Sequence, residues 1–452
     1  MILALIFGTL LWVALLLAYG RTGVASAFHP GSYYLFFHGL VFVVRPWLGW
    51  FWHYRFIYRA FEFSPSPAER IQALLVADLG LVAFMVALLW SGRTQLLLKP
   101  APAKRTDLHR RYRGSFLLAA SLCAPIGLWS LVRGVSDRLT DASGMVMDPD
   151  NGIFVNTGGN GYLADAHAML IPVVVLCAWL FRFRLLSLVP FLLYAAARMV
   201  MGGGRWAFLM AAASLALFAL YEGRARWMRS GALVLSVVVL LPFTMLGQDR
   251  TAFQALLPVS PVAAAPVAAE ALHPLEDENY ANQEFLEYLV RAVPARTGTY
   301  DWFLDNLQLF TEPVPRVLWP GKPIGPPIQL FHLFDYGRPV GMTLSLPGEG
   351  WIQAGWAGVA LWCGLFGWAC GCAYRWFARS VQTEFQVATF LLLLPLSVQL
   401  FRDGTLITAL RFPLFYLVPL ALWWLIARGN GRLIVERRSR PRRVRRLLQA
   451  PA

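Results

Sequence analysis

Charge is what this sequence has least of. Only 14% of its 452 residues are Asp, Glu, Lys or Arg, against about 25% in an ordinary soluble domain, which excludes a protein with a conventional solvated surface. Cysteine is equally uninformative as a framework. The five (Cys123, Cys177, Cys363, Cys370 and Cys372) are odd in number and all fall inside apolar segments, so neither a disulfide scaffold nor a metal site is implied. Cys370 and Cys372 are two apart, not the three-residue step of a metal or redox motif. No His/Asp/Glu/Cys cluster has metal-ligand spacing, so no cofactor is expected. Acids are outnumbered, 25 to 40, for a net charge of +15. In a soluble chain that excess suggests nucleic acid. The first residues lack a basic leader and a small-residue cleavage site, and read as a retained helix rather than a signal peptide.

What is present is hydrophobic length. The chain is 58% hydrophobic, with 18 Trp and 31 Phe. Apolar runs recur at about 1–19, 32–52, 71–91, 115–134, 161–181, 185–201, 205–221, 229–247, 350–374, 384–401 and 408–427. Each approaches the roughly 20 residues a helix needs to cross a bilayer, and in hydrocarbon the backbone must satisfy its own hydrogen bonds. The expectation is an all-α polytopic membrane protein of about 11 transmembrane helices with a large outer loop before the last three. Four regions follow: a membrane part at 1–247, the loop at 248–348, a second membrane part at 349–428 and a basic tail at 429–452.

Basic residues set the orientation, because cytoplasmic loops collect Lys and Arg. The loop holding Arg93, Lys99, Lys104, Arg105, Arg110, Arg111 and Arg113 falls on one side by parity. So do those with Arg182 and Arg184, with Arg224, Arg226 and Arg229, and with Arg375 and Arg379, and so does the tail from Arg432 to Arg446. That side is expected to be cytoplasmic, which places Val135–Asn160 and Gln248–Gly348 outside. The arginines of the tail lack the interleaved aromatics of single-strand binding. They suit the anionic inner leaflet, at about 1 kcal/mol per residue, so membrane lipids rather than nucleic acid are the expected partner.

The polar groups near the outer face are the functional candidates. Gly202, Gly203 and Gly204 precede Arg205 at a tight outer turn, where exposed backbone N–H groups, a helix N-terminus and a guanidinium fork suit an anion; the bland alternative is an interfacial Arg. Arg198 lies about two turns earlier. Arg402 and Asp403 occupy the other short outer loop, with Arg411 just inside the last span. Asp165 and His167 open the fifth span. Arg45 sits in the middle of the second span, where a charge must pair or line a cavity, and Asp78 on the third span is its expected partner.

The outer loop changes character along its length. Pro258–Ala271 is rich in Ala, Pro and Val and reads as a flexible stretch. Phe285, Leu286, Leu289, Val290 and Val293 then recur at helical spacing with Glu284, Glu287 and Arg291 between them, an amphipathic helix that lies on the membrane or caps a cavity. A second helical stretch is expected over Tyr300–Phe310. Prolines 313, 315, 320 and 323 next fix an extended path around Arg316, Trp319 and Lys322. A Trp between two cations suits a sugar beside a phosphate, or is an interfacial Trp with basic neighbours.

The run Pro315-Arg316-Val317-Leu318-Trp319-Pro320-Gly321-Lys322-Pro323 resembles the PR-x-(L/F)-W-P-x-K-P signature of the Wzy-like oligosaccharide repeat-unit polymerases of bacterial surface polysaccharides. Gly348-Glu349-Gly350-Trp351, followed by Gly355 and Gly358, is similar to that family's G-E-x-(Y/W) start of the next span. The glycine turn before Arg205 and the Arg402-Asp403 loop are similar to its other two marks. The likeness covers about 195 to 412 in order; the first four spans carry little of it.

The resemblance implies an integral membrane glycosyltransferase acting at the periplasmic face of the bacterial inner membrane. Its partners would be undecaprenyl-pyrophosphate-linked oligosaccharides and, for length control, a chain-length regulator. Arg198, Arg205, Arg316, Trp319, Lys322, Arg402 and Arg411 would bind substrate. Glu349 is the first candidate for a general base, with Asp403 and His167 in reserve; a carboxylate near a helix N-terminus is equally well explained by the helix dipole. A ligase that moves the glycan to another acceptor shares this plan. A transporter or flippase would show an internal repeat and polar groups at mid-membrane; no clear repeat is visible, and the polar groups cluster outward.

Overall fold

The computed structural model describes residues 1–60, 62–96, 104–139, 145–147, 154–156, 163, 165–200, 205–228, 273, 275–276, 280–314, 318–319, 321–323, 325–336, 342–379 and 382–429. In chain order the helices are α1 (Ile2–Arg21), α2 (Pro30–Trp52), the short α3 (Phe56–Ala60), α4 (Pro67–Gly92) and α5 (Lys104–Leu139). Then come α6 (Asp165–Leu180, opening as a 3-10 turn), α7 (Leu185–Val200) and α8 (Arg205–Glu222). The series closes with α9 (Asn282–Ala292), α10 (Leu346–Arg379), α11 (Glu384–Asp403) and α12 (Leu406–Gly429). A small ribbon pairs Met145–Met147 (β1) antiparallel with Phe154–Asn156 (β2); the sequence pattern gave no sign of it.

Among the described residues seven helices are long and apolar enough to span a membrane: α1, α2, α4, α5, α10, α11 and α12. Apart from that ribbon the described chain is helical, and the protein is a membrane-embedded polytopic one. The expected number of about 11 is not confirmed among the described residues, where α6, α7 and α8 are shorter than 20 residues and α7 carries Pro190 inside it. The expected span at 229–247, the stretch 258–271 and the tail beyond Gly429 lie outside the described residues. The ends of α1, α4, α6 and α8 meet at one face: Arg226 donates to the carbonyls of Gly23 and Leu96, and Arg113 donates to that of Leu180. The segments that hold Arg113, Arg182 and Arg226 share this side; the tail lies outside the described residues.

Close backbone packing joins α4 to α10. Gly367 and Gly371 form a Gly-x-x-x-Gly face against Phe84, Leu88, Ser91 and Gly92, and Ser91 Oγ donates to the Trp368 carbonyl at 3.1 Å. In lipid no hydrophobic drive pulls helices together, so small residues that let backbones touch supply the dispersion contact instead. The two helices run the same way, since Gly80 lies against Cys363 and Gly92 against Gly371.

The start of α10 departs from a simple span. Ala354 (φ −162°, ψ 36°) and Gly355 (φ 58°, ψ −138°) break the helix into two. Gly350 packs against Gly358 and Val359, with space for no side chain between them. Ser345 donates to the Arg402 carbonyl while Trp362 Nε1 donates to that of Gly404, so Ser345 lies level with Trp362. Residues 346–353 thus climb outward, turn at Gly355 and descend again. The expected span at 350–374 is kept from Gly355 onward, with residues 346–353 added as a short arm folded back beside it, and the cause of the turn is the left-handed φ at Gly355, which L side chains rarely adopt.

Two further expectations change. Arg45 pairs with Glu284 on α9, not with Asp78: its Nε donates to both carboxylate oxygens at 2.9 Å. Asp78 instead lies against Gly8 of α1. The path before Pro46 opens into a π turn at Gly39–Val44, the distortion expected where proline removes an N–H from the ladder. The helix expected over Tyr300–Phe310 is only a 3-10 turn at Leu304–Leu307 and one α turn at Gln308–Thr311.

Candidate functional site

Among the described residues, Asp165, Lys322, Arg402, Asp403 and Arg411 gather at the face opposite the basic loops. α11 ends there at Asp403, capped by Gly404 at φ 78°. The Arg402 carbonyl accepts from Ser345 N at 2.9 Å and from Asn282 Nδ2 at 3.0 Å. These bonds and the one from Trp362 fix the turn into α12. Asp403 Oδ2 accepts from Gln399 Nε2 at 2.6 Å and from Thr408 Oγ1 at 3.4 Å, and its Oδ1 lies 3.9 Å from the Arg402 guanidinium.

Arg411, in the second turn of α12, bridges two remote segments. One arm of its fork donates to Glu312 Oε1 at 3.3 Å and the other to Asp165 Oδ2 at the start of α6. Lys322 closes the group from the proline-rich loop, donating to the carbonyls of Glu312 and Val314 at 3.0 and 3.2 Å, with the Glu312 carboxylate at 4.0 Å. Arg411 and Asp165 are each 27% exposed and Glu312 is 23% exposed, so a solute can reach these groups. Carboxylates hold both cations in place, and a ligand phosphate would meet a guanidinium already oriented.

The structure thus brings Lys322 and Arg411 together, adds Asp165 to them, and sets Arg402 beside Asp403. The backbone N–H of His167 donates to Ser130 Oγ at 3.1 Å, tying α6 to α5. Trp319 is exposed, and its carbonyl accepts from Lys322 N at 3.0 Å. Arg198 lies in the last turn of α7, and Arg205 is the first residue of α8. The side chain of Arg205 and all of Arg316 lie outside the described residues.

Glu349 belongs to a different element from the Arg411 cluster. It sits on the rising arm of the re-entrant hairpin, 5% exposed, and accepts from Gln353 Nε2 at 2.9 Å. Gln353 Oε1 in turn accepts from Phe303 N at 2.6 Å, so the carboxylate is linked through one amide to the outer loop. Glu312 went unnoticed in the sequence; the available signal was a lone acid immediately before Pro313-Val314-Pro315, four residues after Gln308.

Comparison with family models, with curated proteins and with solved structures finds no match to this chain.

Proposed function

We propose that this protein is a Wzy-like polymerase of lipid-linked oligosaccharide repeat units in the bacterial inner membrane, active at the periplasmic face. It transfers a glycan from undecaprenyl pyrophosphate to the non-reducing end of a second lipid-linked unit. The observation that carries the reading is the convergence of the signature segments. Lys322 of the proline-rich run and Arg411 share Glu312, Arg402-Asp403 forms the adjoining turn, and the Gly348–Trp351 segment is re-entrant against that same turn.

The chemistry fits this arrangement. The acceptor hydroxyl oxygen attacks the anomeric carbon, the bond to the pyrophosphate oxygen breaks, and the hydroxyl proton passes to a carboxylate. Arginine and lysine stabilise the departing pyrophosphate charge, and Glu349 or Asp403 takes the proton. Purified protein given lipid-linked repeat units should build ladders in the presence of EDTA. Arg205→Ala and Arg316→Ala should abolish them without loss of inserted protein. Absence of ladders from native protein across several repeat units would remove the polymerase reading.

A further inference from the structure

A second polar site lies away from the Arg411 cluster, beneath α9. A cavity of about 470 Å³ opens between α2, α3, α4 and α9. Four arginines line it (Arg45, Arg55, Arg59 and Arg70) against two carboxylates, Glu284 and Glu287. Arg45 is spent on Glu284 within the wall. Arg70 lies over the Tyr58 ring at 4.9 Å, its Nε 3.9 Å from Glu287. Tyr58 donates to Glu287 Oε2 at 2.7 Å and Gln283 Nε2 to its Oε1 at 3.3 Å. Burial, and then the charge of Glu284, push the Glu287 carboxyl up to about 7, which leaves the wall cationic.

One group in the wall has an unmet requirement. Gln283 is 3% exposed and lines the cavity, yet its Oε1 has no hydrogen-bond partner among the described residues. A buried amide oxygen left bare costs about 1–3 kcal/mol, so the Gln283 side chain gains by turning its oxygen to a donor held in the cavity. Trp50, Tyr54 and Tyr58 supply flat apolar faces in the same lining. The cavity also lies directly after the π turn that ends at Arg45, and such turns concentrate at functional sites. An amide acceptor that wants a hydroxyl, aromatic faces and a guanidinium are together the recognition set for an acidic sugar.

We infer that this cavity binds an anionic sugar residue, its acid group on Arg70 and a hydroxyl on Gln283 Oε1. The choice of a sugar deepens the polymerase reading, giving the protein a glycan subsite separate from the Arg411 cluster; the binding itself is measured without any polymer synthesis, so either idea can fail alone.

Calorimetric titration of the full chain in detergent tests it, with three probes: a glucuronic-acid disaccharide, its methyl ester, and glycerophosphoglycerol as the headgroup of an anionic lipid. The acid should bind saturably and the ester roughly tenfold more weakly, the loss of a charge-assisted hydrogen bond. Arg70→Gln should lower affinity for the acid by a similar factor and leave the ester unchanged, whereas Gln283→Leu should weaken both sugars alike. Should either variant fail to fold, the acid and ester on the native protein decide the matter. Equal affinity for the two sugars, or no saturable heat from either, overturns the inference. Tighter binding of glycerophosphoglycerol than of the acid overturns it too, and assigns the cavity to lipid.

Discussion

Two arginines do similar jobs at the same face and differ in what surrounds them. Arg45 ties α2 to α9 and is 1% exposed, with both Glu284 oxygens on its Nε and the carbonyls of Leu275 and Glu276 on its other nitrogens. Arg411 ties α12 to α6 and to the proline-rich loop, but it and its carboxylates are about a quarter exposed. A buried pair exchanges badly with solutes, because breaking it strands a charge without water. A partly exposed pair can trade a carboxylate for a phosphate at little cost. Burial, rather than partner count, separates the residue that holds the fold from the one suited to act.

The largest effect should follow from breaking the buried member. Arg45→Ala strands Glu284 and should destabilise the docking of α9 by about 3–5 kcal/mol, read as loss of folded protein after detergent extraction. Arg45→Met combined with Glu284→Leu should recover most of the yield. If Arg45→Ala alone folds normally, the contrast fails.

Arg411→Ala should leave the amount of inserted protein within the range of an exposed pair, about 0–1 kcal/mol, while abolishing polymer ladders. Arg411→Lys should restore only part, since Lys offers a point charge where Arg offers a fork. A normal ladder in the Ala variant would reduce the cluster to a structural clasp. Glu349→Gln should slow ladder formation by about 10²–10⁴-fold at unchanged substrate affinity if it is the base. Unchanged turnover would give the proton to Asp403 or His167.

The smallest effect concerns pH. The folded-state pKa of Glu287 is raised to about 7 by burial and then by Glu284. A raised carboxyl favours the docked state below its ordinary pKa, and that contribution is lost as pH rises through about 7. Glu276 has the opposite sign. Burial pushes it up, but the N–H groups of Phe56, Arg55 and His273 outweigh that and hold it below its ordinary value, so its contribution is lost only in acid. Amide-exchange protection of α9 should therefore fall modestly from about pH 5 to about pH 8. Glu287→Gln should flatten that slope, and a slope that persists would place its origin elsewhere.

Much of the architecture was legible because a bilayer leaves little choice: long apolar runs become helices, and α1, α4, α11 and α12 begin and end within a few residues of the pattern. The shared side of Arg113, Arg226 and their neighbouring loops was likewise visible from charge alone. Pairings were not legible. Arg45 is 239 positions from Glu284 and Arg411 is 246 from Asp165, and no periodicity reports a contact across such a gap. Nor was the turn at Gly355 legible, since an apolar run has the same hydropathy whether it crosses once or doubles back. Of the candidate site, Lys322 in the proline-rich run and Arg402, Asp403 and Arg411 at the ends of apolar runs are legible as cations and an acid, while Glu312, which joins two of them, is not.

The re-entrant hairpin also dictates an order of construction. Its seat is made of the Arg402 and Gly404 carbonyls, which take the N–H groups of Ser345 and Trp362. During synthesis the hairpin, through Trp362, is complete 42 residues before Gly404 exists, at a pace of about 5–20 residues per second. For those seconds α9 is held only by Arg45 and its neighbours and the hairpin only by α4, and the emergence of α11 completes the seat. A ribosome stalled between Arg379 and Asp403 should therefore hold a chain whose first helices are packed while this face is still open.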